Sequence, residues 1–353
     1  TAIGGEKLKG LGVSLLADTQ KSASVMGFWE VFLKLPRIFV LFQETIRFLR
    51  SSRPDLVLLI DFADFNLRVA KQAKELGIKV AYFIPPKVWV WRTARVKLLS
   101  QYTDLIGVIF PHEEKFLRER QVKNVYYLGH PFCSEGEYQL ADSKKREEIK
   151  VALGLDPTKK AVVIFPGSRE GEIKRHKKLI KELIEKFKET YEQIQVFFSA
   201  HSNLAKEEML KQYGEITVVT GDPLLAIKAA DAGVIKSGTS NLQAAILKLP
   251  FCMFYVASPM VRVISEFFLR ISQYSPVNII RRDTIKEFVK DQAQAQVIYN
   301  EVIKLLSQQS YRDDMLAAFD EIRKILTSQD SLSPYQSMAK KMLDSILISK
   351  DAR

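Results

Sequence analysis

Asp55-Leu-Val-Leu-Leu-Ile-Asp-Phe-Ala-Asp-Phe-Asn66 is the stretch on which the fold is decided. Leu56 to Ile60 are five consecutive apolar residues, the length of one short strand. An unbroken apolar run, rather than an alternating one, predicts burial on both faces, as in a parallel sheet. The run stops at Asp61, with Asp64 and Asn66 just beyond. In open α/β sheets ligands sit outside the carboxyl ends of the strands, so a carboxylate there is placed to take a proton. The same residue could equally cap the helix predicted over Phe65 to Leu76. Within this segment both roles stay open.

Downstream, strands and helices alternate. Strands are predicted at Lys79 to Ile84, Leu105 to Phe110 and Val125 to Leu128, with a stiff Pro85-Pro86-Lys87-Val88-Trp89-Val90-Trp91-Arg92 loop and a charged helix over Glu113 to Arg120 between them. Residues 134–160 turn polar and charged and read as a linker. A second alternating series begins at Ala161 to Phe165, continues through an amphipathic helix over Glu172 to Tyr191, and adds strands at Gln195 to Ser199, Ile216 to Thr220 and Gly233 to Ile235. The tail from Tyr299 is helical and interrupted at Ser333-Pro334. Repeated β-α-β units imply parallel sheets, and the expected architecture is two Rossmann-like, doubly wound α/β domains facing across a cleft.

A chain of 353 residues has room for two such domains. The 53 Lys+Arg exceed the 41 Asp+Glu by 12, which favours an anionic partner: phosphorylated substrate, acidic lipid or nucleic acid. No strand platform of interleaved aromatic and basic residues supports nucleic acid, and none is expected as a partner. Cys133 and Cys252 lack paired spacing, and the four histidines lack metal-ligand spacing, so neither a disulfide framework nor a zinc site is expected. Val25 to Phe42 is the most aromatic stretch, but Glu30, Lys34 and Arg37 interrupt it before it could span a bilayer. Two readings remain for it: core helices, or a membrane-contact surface presenting Phe28, Trp29, Phe32, Arg37 and Phe39.

Two turns carry the chemistry of phosphate. Phe165-Pro166-Gly167-Ser168-Arg169 joins a strand to a helix. Gly167 permits close backbone approach, the helix start offers N–H groups, and Arg169 adds a planar charged fork. Lys236-Ser237-Gly238-Thr239-Ser240-Asn241 repeats the arrangement ahead of a helix over Leu242 to Leu247. Neither is a Walker or a dinucleotide glycine motif, and no Asp-x-Asp metal clamp accompanies them. The site is therefore expected to hold a diphosphate without a metal or other cofactor.

In order along the chain, Ile60-Asp-Phe-Ala-Asp-Phe-Asn66, Pro86-Lys-Val-Trp-Val-Trp-Arg92, Gly129-His-Pro131, Phe165-Pro-Gly-Ser-Arg169, Ser237-Gly-Thr239 and Pro276-Val-Asn278 resemble the motifs of the lipid-A-disaccharide synthase family, over nearly the whole length. The resemblance implies a GT-B glycosyltransferase. Its first domain would cover 1–137 and be completed by a terminal helix over 335–353; its donor domain would cover 138–334. The implied reaction is inverting and metal-independent. It joins UDP-2,3-diacylglucosamine to 2,3-diacylglucosamine 1-phosphate at the cytoplasmic face of the inner membrane, with a homodimer as a further expectation.

Carried over residue by residue, the family's general base falls on Asp61, its functionally important arginine on Arg169 and its late asparagine on Asn278; the chemistry of the turn makes Arg169 the stabiliser of the leaving group. Gly167, Ser168, Ser237, Gly238, Thr239, Gln243 and Asn278 join Arg169 on the donor side. Asp64, Asn66, Trp89, Trp91, Arg92 and His130 fall on the acceptor side. Three departures from the family pattern stand out. Its glycine-rich first turn would precede Thr1, so the first strand and turn are expected to be missing; Gln243 replaces the usual ribose-gripping glutamate; and Pro85 replaces a common serine. Two other readings remain: a GT-B transferase using UDP-N-acetylglucosamine on another membrane-bound acceptor, and a basic α/β protein that binds lipid or nucleic acid.

Overall fold

The computed structural model describes residues 1–18, 28–90, 92–134, 138, 145–189, 192–200, 202–257, 273–328 and 332–350, and within these the side chains of all but 6–7, 28–35, 203–204 and 348–350. The chain forms two compact units, residues 1–129 with 330–353, and residues 130–329.

The first unit begins with β1 (Ala2–Gly4), α1 (Glu6–Gly10) and β2 (Leu15–Asp18), the two strands pairing in parallel. α2 (Phe28–Ser52) follows as one 25-residue helix with Pro36 inside it, where sequence suggested a pair of helices. Then come β3 (Leu56–Ile60), α3 (Ala63–Glu75), β4 (Lys79–Phe83), α4 (Arg95–Tyr102), β5 (Leu105–Val108), α5 (Pro111–Arg118) and β6 (Val125–Tyr127). The sheet is parallel, in the order β3-β4-β5-β6.

The expectation that Leu56 to Ile60 is covered on both faces is corrected. β4 and β5 are the enclosed strands, whereas β3 lies at the sheet edge and leaves Leu58 and Ile60 exposed. Its buried residue, Leu59, belongs to one apolar cluster with Leu41, Ile46 and Leu49 of α2 and Phe65 and Val69 of α3. Apolar spacing on α3 explains that packing, since Phe65, Val69, Ala70 and Ala73 share one helical face. The helix stops in a Schellman turn: Gly77, at φ +76, donates to Lys74 O at 3.0 Å and Ile78 N–H reaches back to Ala73 O at 2.9 Å.

The second unit opens with α6 (Arg146–Ala152) and continues β7 (Lys160–Phe165), α7 (Glu170–Lys188), β8 (Ile194–Ala200), α8 (Asn203–Tyr213), β9 (Thr217–Thr220), α9 (Pro223–Ala229), β10 (Ala232–Lys236), α10 (Thr239–Ile246) and β11 (Phe251–Tyr255). After these come α11 (Pro276–Ile280), β12 (Glu287–Val289), α12 (Ala295–Ser307) and α13 (Gln309–Leu326). Part of the charged stretch read as a linker is docked structure. Arg146 and Lys150 of α6 bond the buried carboxylate of Asp231 at 3.1 and 3.0 Å, and Ala161 N–H adds a third bond at 2.9 Å. Burial works against that carboxylate's charge, but these partners hold its pKa below the usual range.

Six parallel strands lie in the order β12-β11-β10-β7-β8-β9. Counted from β7 this is 3-2-1-4-5-6, the doubly wound Rossmann order. Val162, Val163, Ile164, Phe197, Phe198, Val234 and Phe254 fill the interior of the sheet.

The last helix, α14 (Pro334–Lys350), belongs to the first unit. Met338 lies so close to β5 that a Cβ on Gly107 would fall 2.8 Å from its sulfur, and Lys79 donates to the backbone oxygen of Ser345. A residue without a side chain is what lets this helix seat on the sheet.

Candidate functional site

At the carboxyl end of β3 the backbone turns through two consecutive non-glycine residues in the left-handed region, Asp61 at φ +48 and Phe62 at φ +40. Asp tolerates this conformation better than most residues but Phe does not, so the surroundings must impose the pair. The clasp is explicit. Asn66 Nδ2 donates to Asp61 O at 2.8 Å and to Ile60 O at 3.0 Å, and the Tyr82 hydroxyl donates to Asp61 O at 2.7 Å. Tyr82 is fully buried; burial raises its pKa well above the ordinary phenol value, which keeps the donor proton in place. The Asp61 carboxylate is left exposed to solvent. The capping role is not realised: Phe62 occupies the N-cap of α3 and no side chain caps that end.

Asp64, also exposed, is gripped by Arg95 and lies 3.4 Å from Arg92. Trp89 is partly buried and donates through Nε1 to Glu113 Oε1 at 3.2 Å. Burial pushes the Glu113 carboxyl up, and Trp89 and Lys87 oppose that push. Trp89 also meets the His112 ring edge-on at 4.6 Å; burial, then the Lys87 charge, lowers His112 to about 4. Trp91 lies outside the described residues. His130, in the second unit, is buried: its Nδ1 accepts from Phe132 N–H at 3.2 Å and its ring packs on Phe132.

In the second unit the two glycine turns become neighbours. β7 pairs with β10 on one side and β8 on the other, so this is where strand order reverses and where the crevice of a doubly wound sheet opens. Gly167, at φ +129, follows β7, and a Cβ there would fall 2.8 Å from both Cβ and Oε2 of Glu172. Only glycine fits. Ser168 N–H donates to Glu172 Oε2 at 3.3 Å, and exposed Arg169 occupies the N-cap of α7. The His176 ring, fully buried, bonds through Nδ1 to Pro166 O at 2.6 Å. A carbonyl can only accept, so Nδ1 carries the proton, and burial, which lowers the ring's pKa to about 4, keeps the imidazole neutral at pH 7.

Gly238, at φ +157, follows β10 and precedes α10, which begins at exposed Thr239. Lys236 bridges the two turns: its Nζ is 2.8 Å from Glu172 Oε1 and 3.9 Å from where a Gly238 Cβ would stand. Burial disfavours the Glu172 charge, yet Lys236, Arg169 and Ser168 N–H outweigh it and hold that carboxyl below its usual pKa. Ser237 Oγ donates to Tyr274 O at 3.1 Å, and Gln243 donates through Nε2 to the Tyr138 hydroxyl at 2.8 Å. Asn278 is 3% exposed, with its amide bonded to neighbouring protein groups.

Chemically, the two turns set a pair of helix starts side by side, with two cations, Arg169 and Lys236, beside them. The model of the lipid-A-disaccharide synthetase family (LpxB) matches residues 1–340. The chain belongs to that family. It is 32% identical over 331 residues to the lipid-A-disaccharide synthase of Geobacter metallireducens, covering 92% of this chain and 85% of the relative. With that of Coxiella burnetii strain RSA 331 it shares 32% over 343 residues, covering 96% and 88%. Among solved structures, the UDP-GlcNAc 2-epimerase of Neisseria meningitidis bound to UDP-GlcNAc superposes with a TM-score of 0.60 at 14% identity, covering 90% of this chain and 87% of that one. This likeness speaks to fold alone. The family is one of glycosyltransferases, and the fold is of the GT-B type.

Several members of the site escape a reading of the sequence. Tyr82 sits inside an apolar strand and looks like core. Glu172 does carry a signal, being an acidic residue at the third position of a helix that opens on a glycine turn. Lys236 adjoins the Ser237 turn but reads as one charge among many. Of the membrane-contact candidates, Arg37 and Phe39 are exposed, Phe39 at 62%, next to exposed Val40. The side chains of Phe28, Trp29 and Phe32 lie outside the described residues. Among the described residues no helix is long and apolar enough to cross a membrane, and no three His, Cys, Asp or Glu side chains gather as a metal site.

Proposed function

We propose that this protein transfers the 2,3-diacylglucosaminyl group of UDP-2,3-diacylglucosamine to the 6-hydroxyl of 2,3-diacylglucosamine 1-phosphate, giving the β-1,6 disaccharide 1-phosphate and UDP. The observation that carries this reading is the pair of glycine turns at the switch point of a 3-2-1-4-5-6 sheet, supplied with Arg169 and Lys236. A diphosphate needs donors and positive charge where its bond to the sugar breaks, and these groups supply both.

Asp61 takes the proton of the acceptor hydroxyl. The oxygen attacks the anomeric carbon opposite UDP, the bond to the β-phosphate breaks, and the configuration inverts. The electron pair leaves on the diphosphate, where Arg169, Lys236 and the N–H groups at Gly238–Thr239 receive it, so no metal is needed. The clasp on Asp61 supports its role as base, because a carboxylate on an imposed elbow is held out from the sheet instead of folding onto the helix end. Both substrates are acylated, which favours work at the cytoplasmic face of the inner membrane, with Arg37, Phe39 and Val40 as a contact point.

The test is UDP release from both lipids in detergent with EDTA present, comparing the unaltered chain with Asp61→Asn. Release that survives EDTA and falls by about 10²–10⁴-fold in the variant, with UDP binding retained, is the expected result. No release when both acylated substrates are supplied refutes the reading.

A further inference from the structure

We propose that Asn278 and Glu287 are positioning residues for the donor turn, and that Asn278 does not itself touch the donor; this rests on the function proposed above. The resemblance between motifs places Asn278 among donor ligands, but its amide is already committed. Nδ2 donates to Ile285 O at 3.0 Å and to Glu287 Oε1 at 2.9 Å, while Oδ1 accepts Ile285 N–H at 3.0 Å. An amide nitrogen has two protons, and both are used. A cavity of about 820 Å³ is lined by Tyr274, Asn278 and Glu287, with Arg282 and Lys286, but Asn278 offers it no N–H.

What Asn278 holds is a carboxylate. Glu287 Oε2 accepts Tyr274 N–H at 2.8 Å and Oε1 accepts Ser275 N–H at 2.8 Å. Glu287 opens β12, where it pairs in register with Met253 of β11. Its side chain therefore pins the 274–275 peptides to the sheet, and Asn278 fixes which way that side chain points. The pinned Tyr274 carbonyl then receives the Ser237 hydroxyl at 3.1 Å, while Ser237 N–H donates to Phe254 O at 3.0 Å. Ser237 is thus held from both sides, and the following Gly238–Thr239 N–H groups take their direction from it. The relay runs from Asn278 through Glu287 and Tyr274 to Ser237. Three charge-assisted bonds on one carboxylate make it stiff enough to transmit position.

The experiment measures UDP affinity by calorimetry, and donor and acceptor KM, for Asn278→Ala, Glu287→Gln, Ser237→Ala and the doubles containing Ser237→Ala. Each of the two relay variants should raise the UDP Kd and the donor KM about tenfold, the size of one lost bond to a charged group, with acceptor KM unchanged. On the Ser237→Ala background neither should add more than about twofold, because the relay's end point is gone. A merely structural role would reduce the binding-competent fraction, read as stoichiometry, and leave Kd alone. Glu287→Gln keeps the side-chain shape and provides a folded variant should Asn278→Ala not fold. A Kd that weakens with Asn278→Ala but not with Glu287→Gln, or losses that multiply in the doubles, overturns the relay in favour of direct contact. Unchanged UDP affinity in every variant overturns the relay alone. Failure of the unaltered chain to bind UDP overturns it together with the proposed function.

Discussion

Replacing Asn66 by alanine tests whether the elbow at Asp61 is held or merely tolerated. Phe62 in the left-handed region costs about 1–2 kcal/mol and Asp61, whose side chain tolerates the region better, costs less, or about 1–3 kcal/mol together. Three hydrogen bonds fall on the carbonyls of Ile60 and Asp61, two from Asn66 and one from Tyr82. At about 0.5–1.5 kcal/mol net apiece they return about 1.5–4.5 kcal/mol, so clasp and strain nearly balance. Asn66→Ala removes two of the three bonds, about 1–3 kcal/mol, enough for the turn to relax toward ordinary backbone angles.

If the competent elbow is then the minor state, kcat should fall about 5–150-fold while UDP affinity stays within about threefold, since the donor turns lie in the other unit. Steady-state UDP release and calorimetry read the two quantities separately. Phe62→Gly on the Asn66→Ala background should recover part of kcat, because glycine adopts positive φ without penalty. Full kcat in Asn66→Ala, or an equal loss of UDP affinity, would refute the reasoning.

Lys236→Met should weaken UDP binding about tenfold or more and lower thermal stability, because it strands the Glu172 carboxylate beside the Gly167 turn; adding Glu172→Gln should restore the stability but not the affinity, as read by melting and calorimetry. Acid should also destabilise the second unit through His176. Burial lowers its pKa from 6.5 to about 4, so the folded state favours the neutral ring. That contribution is complete above the unfolded value and is lost as pH falls from about 6.5 toward 4, amounting to about 3 kcal/mol. Denaturant melts of the unaltered chain and His176→Gln across that range should converge as pH falls; parallel curves would show that His176 is not the group.

The alternation of strands and helices, both glycine turns and the family itself were legible in residue order. Such signals are local: apolar periodicity, glycine where φ must be positive, and a helix start next to a phosphate-binding turn all act within a few residues. Sequence also placed Asp61 at a strand end. It could not choose between base and cap, because both roles begin from the same position, and only the turn imposed by Asn66 and Tyr82 decides where the carboxylate goes. Burial of β3 was misjudged for a related reason. An apolar run shows that a strand wants cover, whereas its place at the edge of the sheet is a property of its neighbours.

Everything that depends on strand order belonged to the tertiary structure. The turns at Gly167 and Gly238 are far apart in the chain, and they become neighbours only because β10 pairs with β7. Lys236 and Glu172 meet for that reason alone. Asn278 likewise shows in sequence only as part of a motif, and its bond to Glu287, which in turn holds the 274–275 peptides, is made by the fold. Sequence determined which groups stand at the strand ends and helix starts. The pairing of distant strands, driven by burial and satisfied through backbone hydrogen bonds that any sequence can make, decided which of those groups stand together.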